Sequence, residues 1–367
     1  LALERVELRG FRNLDRASVR MGEAITVVHG PNGSGKTNLL EGIHFALTGG
    51  SCRTRNDREL IAFGAPAARS EVELVEAQGA SRFVASIARS GERRVEVEGA
   101  AGADERPPVG VFLPDRLALV KGAPGERRNH LDRFIAALWP ARAELRRRFG
   151  RALAQRNALL SRIRAGEVDS DALGAWDGAF AEQALAVIEA RREAAAALAP
   201  AFAALAAELG LTGRAELRYR PRMDVSTAAE IEAELAGRRE EDLARGYSAH
   251  GPHVDELVLE LGGRALRRYG SQGEQRIALL AILLAERQAL IDSRGVVPVM
   301  LLDDVMSELD PAHRALLVER LAGVGQTVIT ATEPEQVPLE APGALHLIDA
   351  TQLSSPAAEE PPAAAAA

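Results

Sequence analysis

Two short segments from opposite ends of the chain restrict what it can fold into. Gly30-Pro31-Asn32-Gly33-Ser34-Gly35-Lys36-Thr37 has the G-x-x-x-x-G-K-T spacing of a phosphate loop. The run Ile25-Thr26-Val27-Val28 precedes it, and the helical pattern Asn38 to Ile43 follows. In such a strand–loop–helix unit the glycines let successive N–H groups converge on a phosphate cluster at the helix N-terminus. Lys36 would place a point charge on the β/γ-phosphates, and Thr37 would offer a hydroxyl to Mg²⁺. The chain has only two lysines, Lys36 and Lys121, among 45 basic residues. A guanidinium fork is too broad for that slot, so the exception is chemically sensible. The second segment, Val299-Met300-Leu301-Leu302-Asp303-Asp304, reads as a buried parallel strand ending in two carboxylates. They fall where an open α/β sheet presents its ligand crevice. Asp303 would hold the Mg²⁺ shell, and Asp304 would orient or deprotonate an attacking water. A fold that uses both segments must pair the two ends of the chain in one sheet.

Composition narrows the class. At 367 residues, 47% hydrophobic and 26% charged, the chain has the material for one large or two medium globular domains. Aromatics make up 4%, too few for a protein that grips single strands mainly by base stacking. The single Cys52 excludes an intramolecular disulfide and reads as a small buried thiol. No segment resembles a signal peptide or approaches the ~20 apolar residues of a membrane span, so a cytoplasmic protein is expected. Net charge is −7, but Lys121 to Arg164 carries twelve basic and three acidic side chains, a local +9 that leaves −16 elsewhere. That asymmetry suggests a surface facing a polyanion, with Arg147, Arg148 and Arg151 as candidates for the contact. The alternative is a solvated helix in an arginine-rich chain.

Periodicity gives the organisation. Leu3, Val6 and Leu8 among charges suggest an N-terminal strand. Glu71 to Val75, Arg82 to Ile87 and Arg93 to Glu98 suggest an antiparallel meander punctuated by Gly79 and Gly91. Val109 to Leu113 is a further buried strand candidate. From about Glu126 to Gly210 apolar residues recur at three- and four-residue spacing, with a turn at Gly166 to Asp171. A third helical stretch covers Ala228 to Arg245; Glu256 to Leu261 reads as a strand, and about Gln275 to Ile291 as a long apolar helix. Ser354 to Ala367 is Pro/Ala/Glu-rich and is expected to be disordered. The expected partition is an N-terminal ATPase lobe at 1–125, a helical arm at 126–245, a C-terminal ATPase lobe at 246–352 and a tail at 353–367.

Gly270-Ser271-Gln272-Gly273-Glu274-Gln275, at a helix start, is a further phosphate-binding arrangement or simply a helix cap. Its place between the phosphate loop and the acidic strand, with Ser307-Glu308-Leu309-Asp310 just after, resembles the ATP-binding-cassette ATPases and their DNA-repair branch. The resemblance implies an α/β fold: an ABC-type P-loop ATPase head with an inserted helical arm and an antiparallel β meander. It makes Ser271, Gln272, Gly273 and Glu274 a signature that contacts ATP held by a second subunit, and Ser307 and Asp310 a D-loop at that dimer interface.

The gap of 232 residues from Thr37 to Gly270 leaves arms of about 25 residues, roughly 40 Å at 1.5 Å per residue, so no long coiled coil fits. Local phrases are similar to the RecF family of bacterial recombination mediators. They include Leu8-Arg9-Gly10-Phe11-Arg12-Asn13-Leu14, Gly50-Ser51-Cys52-Arg53-Thr54, Leu119 to Pro124 with Arg127-Arg128, Gln155 to Leu160, and Trp176-Asp177. Val254 and the phrase Pro114-Asp115-Arg116 depart from the family pattern. No switch histidine follows Thr327 to Thr332, and the second acid is Asp304 rather than Glu, which suits slow hydrolysis. His250 and His253 are explained by a family phrase rather than by a metal. The resemblance implies Mg²⁺ and ATP as cofactors and an ATP-dependent homodimer that clamps duplex DNA at single-strand gaps. It further implies a weak DNA-stimulated ATPase, RecR and RecO as partners, and help in loading RecA. The rivals are the ATPase subunit of an ABC transporter, a binding module that uses nucleotide only as a structural ligand, and a repair ATPase with an attached nuclease.

Overall fold

The computed structural model describes residues 2–54, 56–76, 79–99, 106–113, 117–338 and 345–353. Pro114 to Arg116 and the tail after Leu353 lie outside these residues. In chain order the elements begin with β1 (Ala2–Phe11), β2 (Leu14–Arg20), β3 (Ile25–His29), α1 (Lys36–Thr48), β4 (Ala67–Glu76), β5 (Gly79–Ala88), β6 (Arg93–Gly99) and β7 (Val109–Phe112). Then come α2 (Ala118–Lys121), α3 (Pro124–Leu138), α4 (Leu145–Arg164), α5 (Leu173–Glu208), β8 (Ala215–Arg220), α6 (Ala228–Gly237), α7 (Arg239–Arg245), β9 (Glu256–Leu261), β10 (Arg264–Ala265), α8 (Leu266–Tyr269) and α9 (Gln272–Arg294). The chain closes with β11 (Val299–Asp303), α10 (Pro311–Ala322), β12 (Thr327–Ala331) and β13 (Leu345–Asp349).

These elements form two compact units: Leu1–Asp115 with Val296–Ala367, and Arg116–Gly295. Residues 246–295, expected with the C-terminal lobe, belong instead to the second unit.

In the first unit, β13-β3-β12-β11-β7 form a parallel sheet and β2-β1-β4-β5-β6 an antiparallel one. The antiparallel sheet follows from alternation: Val6, Leu8, Val72 and Phe83 are buried, while Arg5, Arg9 and Arg94 face solvent. Helix α1 packs against strands of both sheets. Its Leu39, Leu40, Ile43 and Phe45 join Leu8, Phe11, Val72, Leu301 and Val328 in one core, which Cys52 borders. The parallel strands β11 and β12 are buried at every residue, as a strand covered on both faces must be. The order β3-β12-β11 sets β12 between the strand that leads into the phosphate loop and the strand that ends at Asp303. The edge strand β13, beside β3, had no counterpart in the sequence reading.

In the second unit, α4 and α5 pack together, and Phe149, Phe180, Ala184, Ile188 and Ile231 build a core with Met223 and Val225. Helix α5 has 36 residues with Pro200 inside it, about 54 Å at 1.5 Å per residue, so the expected limit of about 25 residues is corrected. Its alanine-rich sequence has high helix propensity, and nothing terminates it before Glu208. The helical stretch after Ala228 divides at Arg238, which caps α6 and leads into α7.

Candidate nucleotide site

Helix α1 starts at Lys36 with no side-chain cap and no acidic residue in its first turn. Its first N–H groups lack intrahelical partners, and no side-chain cap takes them up. Gly33 and Gly35 stand at φ +85° and +101°, which other residues rarely adopt, and a Cβ on Gly35 would lie 2.8 Å from Leu14 Cδ2. The loop is braced from the N-terminal phrase. Asn13 Nδ2 donates to Gly33 O (2.9 Å), and Asn38 Nδ2 donates to Asn13 Oδ1 (2.7 Å). Arg12, itself at φ +55°, forks onto the fully buried Glu41 of α1 with two bonds of 2.9 Å. Ser51 Oγ donates to the same carboxylate (2.5 Å), and Arg53 lies 3.4 Å from it. The phrases around Arg12 and Arg53 thus meet on α1.

The loop opens into a cleft of about 320 Å³ lined by Asn32, Lys36, Thr37, Arg53, Asp303 and Asp304, among others. Lys36 is 8% exposed, and its Nζ donates to Gly30 O (2.6 Å) and Pro31 O (3.0 Å). Burial pushes its pKa down, and Asp303 and Asp304 oppose that shift. Asp303, 6% exposed, accepts from Thr37 Oγ1 (2.9 and 3.0 Å) and Thr330 Oγ1 (2.7 Å). Burial raises its pKa, against the pull of the two hydroxyls. Asp304 stands in left-handed backbone, φ 50° and ψ 30°, and its carboxylate and carbonyl accept from Ser307 Oγ at 3.1 and 2.8 Å. Ser34 Oγ is buried without a hydrogen-bond partner. An uncapped helix, an orphaned hydroxyl and a lysine satisfied only by its own loop fit a polyphosphate. A buried carboxylate whose hydrogen bonds, among the described residues, come from hydroxyls fits a divalent cation. The structure brings together Gly30 to Thr37, Asp303 and Asp304; Arg53 and Thr330 were not singled out as site residues in the sequence.

Asp310 caps α10, accepting from the N–H groups of Ala312 (3.0 Å) and His313 (3.1 Å). In the second unit Ser271 begins α9 in a capping box. Glu274 accepts from Ser271 N–H (2.7 Å), and Ser271 Oγ accepts from Glu274 N–H (3.3 Å). Ser271, Gln272 and Gly273 are exposed, while Gln275 is buried and donates to Leu266 O and Gly270 O. The turn before α9 is thereby fixed while its N-terminus faces outward.

The basic stretch divides. Arg147, Arg148 and Arg151 are exposed on α4, with Arg147 paired to Glu144. Arg127 pairs with Glu256, and the fully buried Arg156 pairs with Asp177 (2.8 Å) and Asp242 (2.6 Å). The local +9 overstates the charge available to a polyanion, because partners from distant sequence neutralise part of it. His250 and His253 bond to Arg238 and to Ser248 O, and among the described residues no cluster of three or more His, Cys, Asp or Glu side chains is arranged to hold a metal.

The profile of the RecF/RecN/SMC N terminal domain matches residues 2–341. The chain is 36% identical over 345 residues to the DNA replication and repair protein RecF of Myxococcus xanthus, covering 89% of this chain and 90% of that one. The chain belongs to the RecF family. Another relative, the DNA replication and repair protein RecF of Heliobacterium modesticaldum, is 35% identical over 96% of this chain and 99% of its own. A solved structure of the recombination mediator protein RecF-ATPrS in the RecFOR pathway superposes with a TM-score of 0.80, at 25% identity, covering 95% of this chain and 96% of that chain. The two-sheet first unit with its helical insertion is the ABC-type ATPase head expected from the four motifs. No described helix is long and apolar enough to cross a membrane.

Proposed function

We propose that the cleft binds ATP with Mg²⁺ and that the chain is an ATP-dependent DNA-binding protein of recombinational repair. The observation that carries the reading is the uncapped start of α1 beside the Thr37–Asp303 contact. Gly30 to Thr37 would wrap the phosphates, with Lys36 on the β/γ-phosphates, and Thr37 and Asp303 would hold the metal. Bound Mg²⁺ supplies charge neutralisation and polarises the transferred phosphoryl group. Asp304, its backbone held in one strained geometry, would orient the attacking water. The exposed start of α9 suits a phosphate presented by a second copy, so Ser271 to Glu274 would close the nucleotide of the partner, with Ser307 and Asp310 at the same interface. Two copies joined by ATP would clamp duplex DNA at a single-strand gap, with arginines of α4 on phosphates. Slow, DNA-stimulated hydrolysis would remove the bridging γ-phosphate and open the clamp. RecR, RecO and help in loading RecA enter through family membership and the RecFOR pathway of the related structure.

The test is fluorescence anisotropy on a gapped duplex, with and without Mg·ATP, for wild type and Lys36→Ala. Binding that needs ATP and is lost in the variant is expected. ATP-independent binding would favour a passive module, and no binding in any nucleotide state would remove the clamp.

A further inference from the structure

We infer that Thr330 is a positioning residue that sets the Asp303 carboxylate and the Asp304 backbone of the nucleotide cleft through one hydroxyl; the inference rests on the reading of that cleft as an Mg·ATP site. Thr330 lies on β12 directly opposite Asp303 of β11 in the parallel register and is fully buried. Its Oγ1 donates to Asp303 Oδ1 at 2.7 Å and accepts from Asp304 N–H at 2.9 Å. Chemistry fixes this direction. An ionised carboxylate only accepts and an amide N–H only donates, so the hydroxyl proton must point to Asp303 and a lone pair to Asp304. Asp304 is one of two non-glycine residues at positive φ among the described residues. Its N–H bond to Thr330 is one of the interactions that hold this backbone. The same hydroxyl restrains the Asp303 carboxylate, whose other hydrogen bonds come from Thr37. β12 lies between β3 and β11, so a hydroxyl here reaches the end of the acidic strand.

A buried threonine that merely satisfied its own hydroxyl would tolerate removal of that hydroxyl without effect on metal dependence. Thr330→Val keeps shape and β-branching and removes both bonds; Thr330→Ser keeps them. Binding of a fluorescent ATP analogue is titrated with Mg²⁺, alongside single-turnover hydrolysis and thermal melting of the nucleotide-free protein. For Thr330→Val we expect half-saturation in Mg²⁺ to rise and turnover to fall, each about 10- to 100-fold as for outer-shell partners of metal ligands. Affinity for the analogue in EDTA should stay within about twofold, and Thr330→Ser should restore wild-type behaviour. If the valine variant does not fold, Thr330→Cys, close to serine in shape but a poor hydrogen-bonding partner, goes through the same titration. Wild-type Mg²⁺ dependence in Thr330→Val or Thr330→Cys overturns the inference while leaving the nucleotide site intact. So does a parallel loss in the serine variant that tracks only its melting temperature. Failure of the wild type to bind the analogue at any Mg²⁺ concentration removes the reading of the cleft and the inference with it.

Discussion

The helical unit and the nucleotide cleft treat buried charge in different ways. In the helical unit Arg156 meets Asp177 and Asp242, and Arg191 forks onto Asp132 at 2.8 and 2.9 Å. In the nucleotide cleft, among the described residues, Lys36 donates its hydrogen bonds to carbonyls and Asp303 accepts its own from hydroxyls, although Asp303 and Asp304 lie close enough to Lys36 to be felt by it. Both arrangements bury ionisable groups, but the first joins them in direct hydrogen-bonded ion pairs, whereas in the cleft the hydrogen bonds of Lys36 and Asp303 go, among the described residues, to neutral groups. A charge paired internally specifies structure. A charge desolvated beside neutral dipoles is held at a cost that a ligand of opposite sign relieves. This difference supports the proposed reading of the cleft as the site of function and of the arm network as architecture.

The largest test of that contrast is Arg156→Ala. It takes the arginine from two buried carboxylates, leaving Asp177 a longer contact to Arg239 (3.4 Å) and Asp242 the N–H of Ala249 (3.0 Å), so stability should fall by about 3–5 kcal/mol in urea unfolding. Nucleotide affinity of the molecules that remain folded should be unchanged. In Lys36→Ala the effects reverse. ATP-analogue affinity should drop on the order of 100-fold, as when one partner of a desolvated charge pair is removed, with unfolding midpoints close to wild type. An unfolding loss as large as that of Arg156→Ala would erase the distinction between the two kinds of buried charge.

A smaller effect comes from Asp303→Asn measured without nucleotide or Mg²⁺. Burial raises the folded-state pKa of Asp303 above that of the unfolded chain. Between those two values the folded protein holds the extra proton, so the contribution of Asp303 to stability is present at low pH and falls as pH rises. The asparagine variant should lack this fall and be about as stable as wild type, or more so, at neutral pH. A wild type whose stability rises through the same window because of Asp303 would contradict an unpaired buried carboxylate. The smallest effect is expected for Arg148→Ala and Arg151→Ala. Each should lower DNA affinity a few-fold and reduce the salt slope by about 0.9 for each phosphate the arginine had neutralised. An unchanged slope would place the DNA surface elsewhere.

Much of the cleft was legible because its parts are short. The phosphate loop is contiguous, and the acidic strand end announces itself by four apolar residues before two carboxylates. The meander β4-β5-β6 was legible from alternation and glycine spacing. Strand β13 was not, because its five residues Leu345–Asp349 carry an exposed His346 and a half-exposed Leu347 on a sheet edge. The arginines of the arm misled for a different reason. Local charge density at Arg156 counts neighbours in sequence, whereas Asp242 is 86 positions away.

By itself the sequence determined that this chain builds a phosphate-binding loop, a carboxylate-ended buried strand and an interrupting helical segment, because each depends on residues within one or two turns or strands. Only the tertiary structure decided that Thr37 and Asp303, 266 residues apart, share a hydrogen bond. It also decided that Arg12 rather than solvent neutralises Glu41, and that Thr330 stands between the two halves of the cleft. Those outcomes follow from strand order and register, which set which distant side chains meet, and no local pattern of residues encodes them.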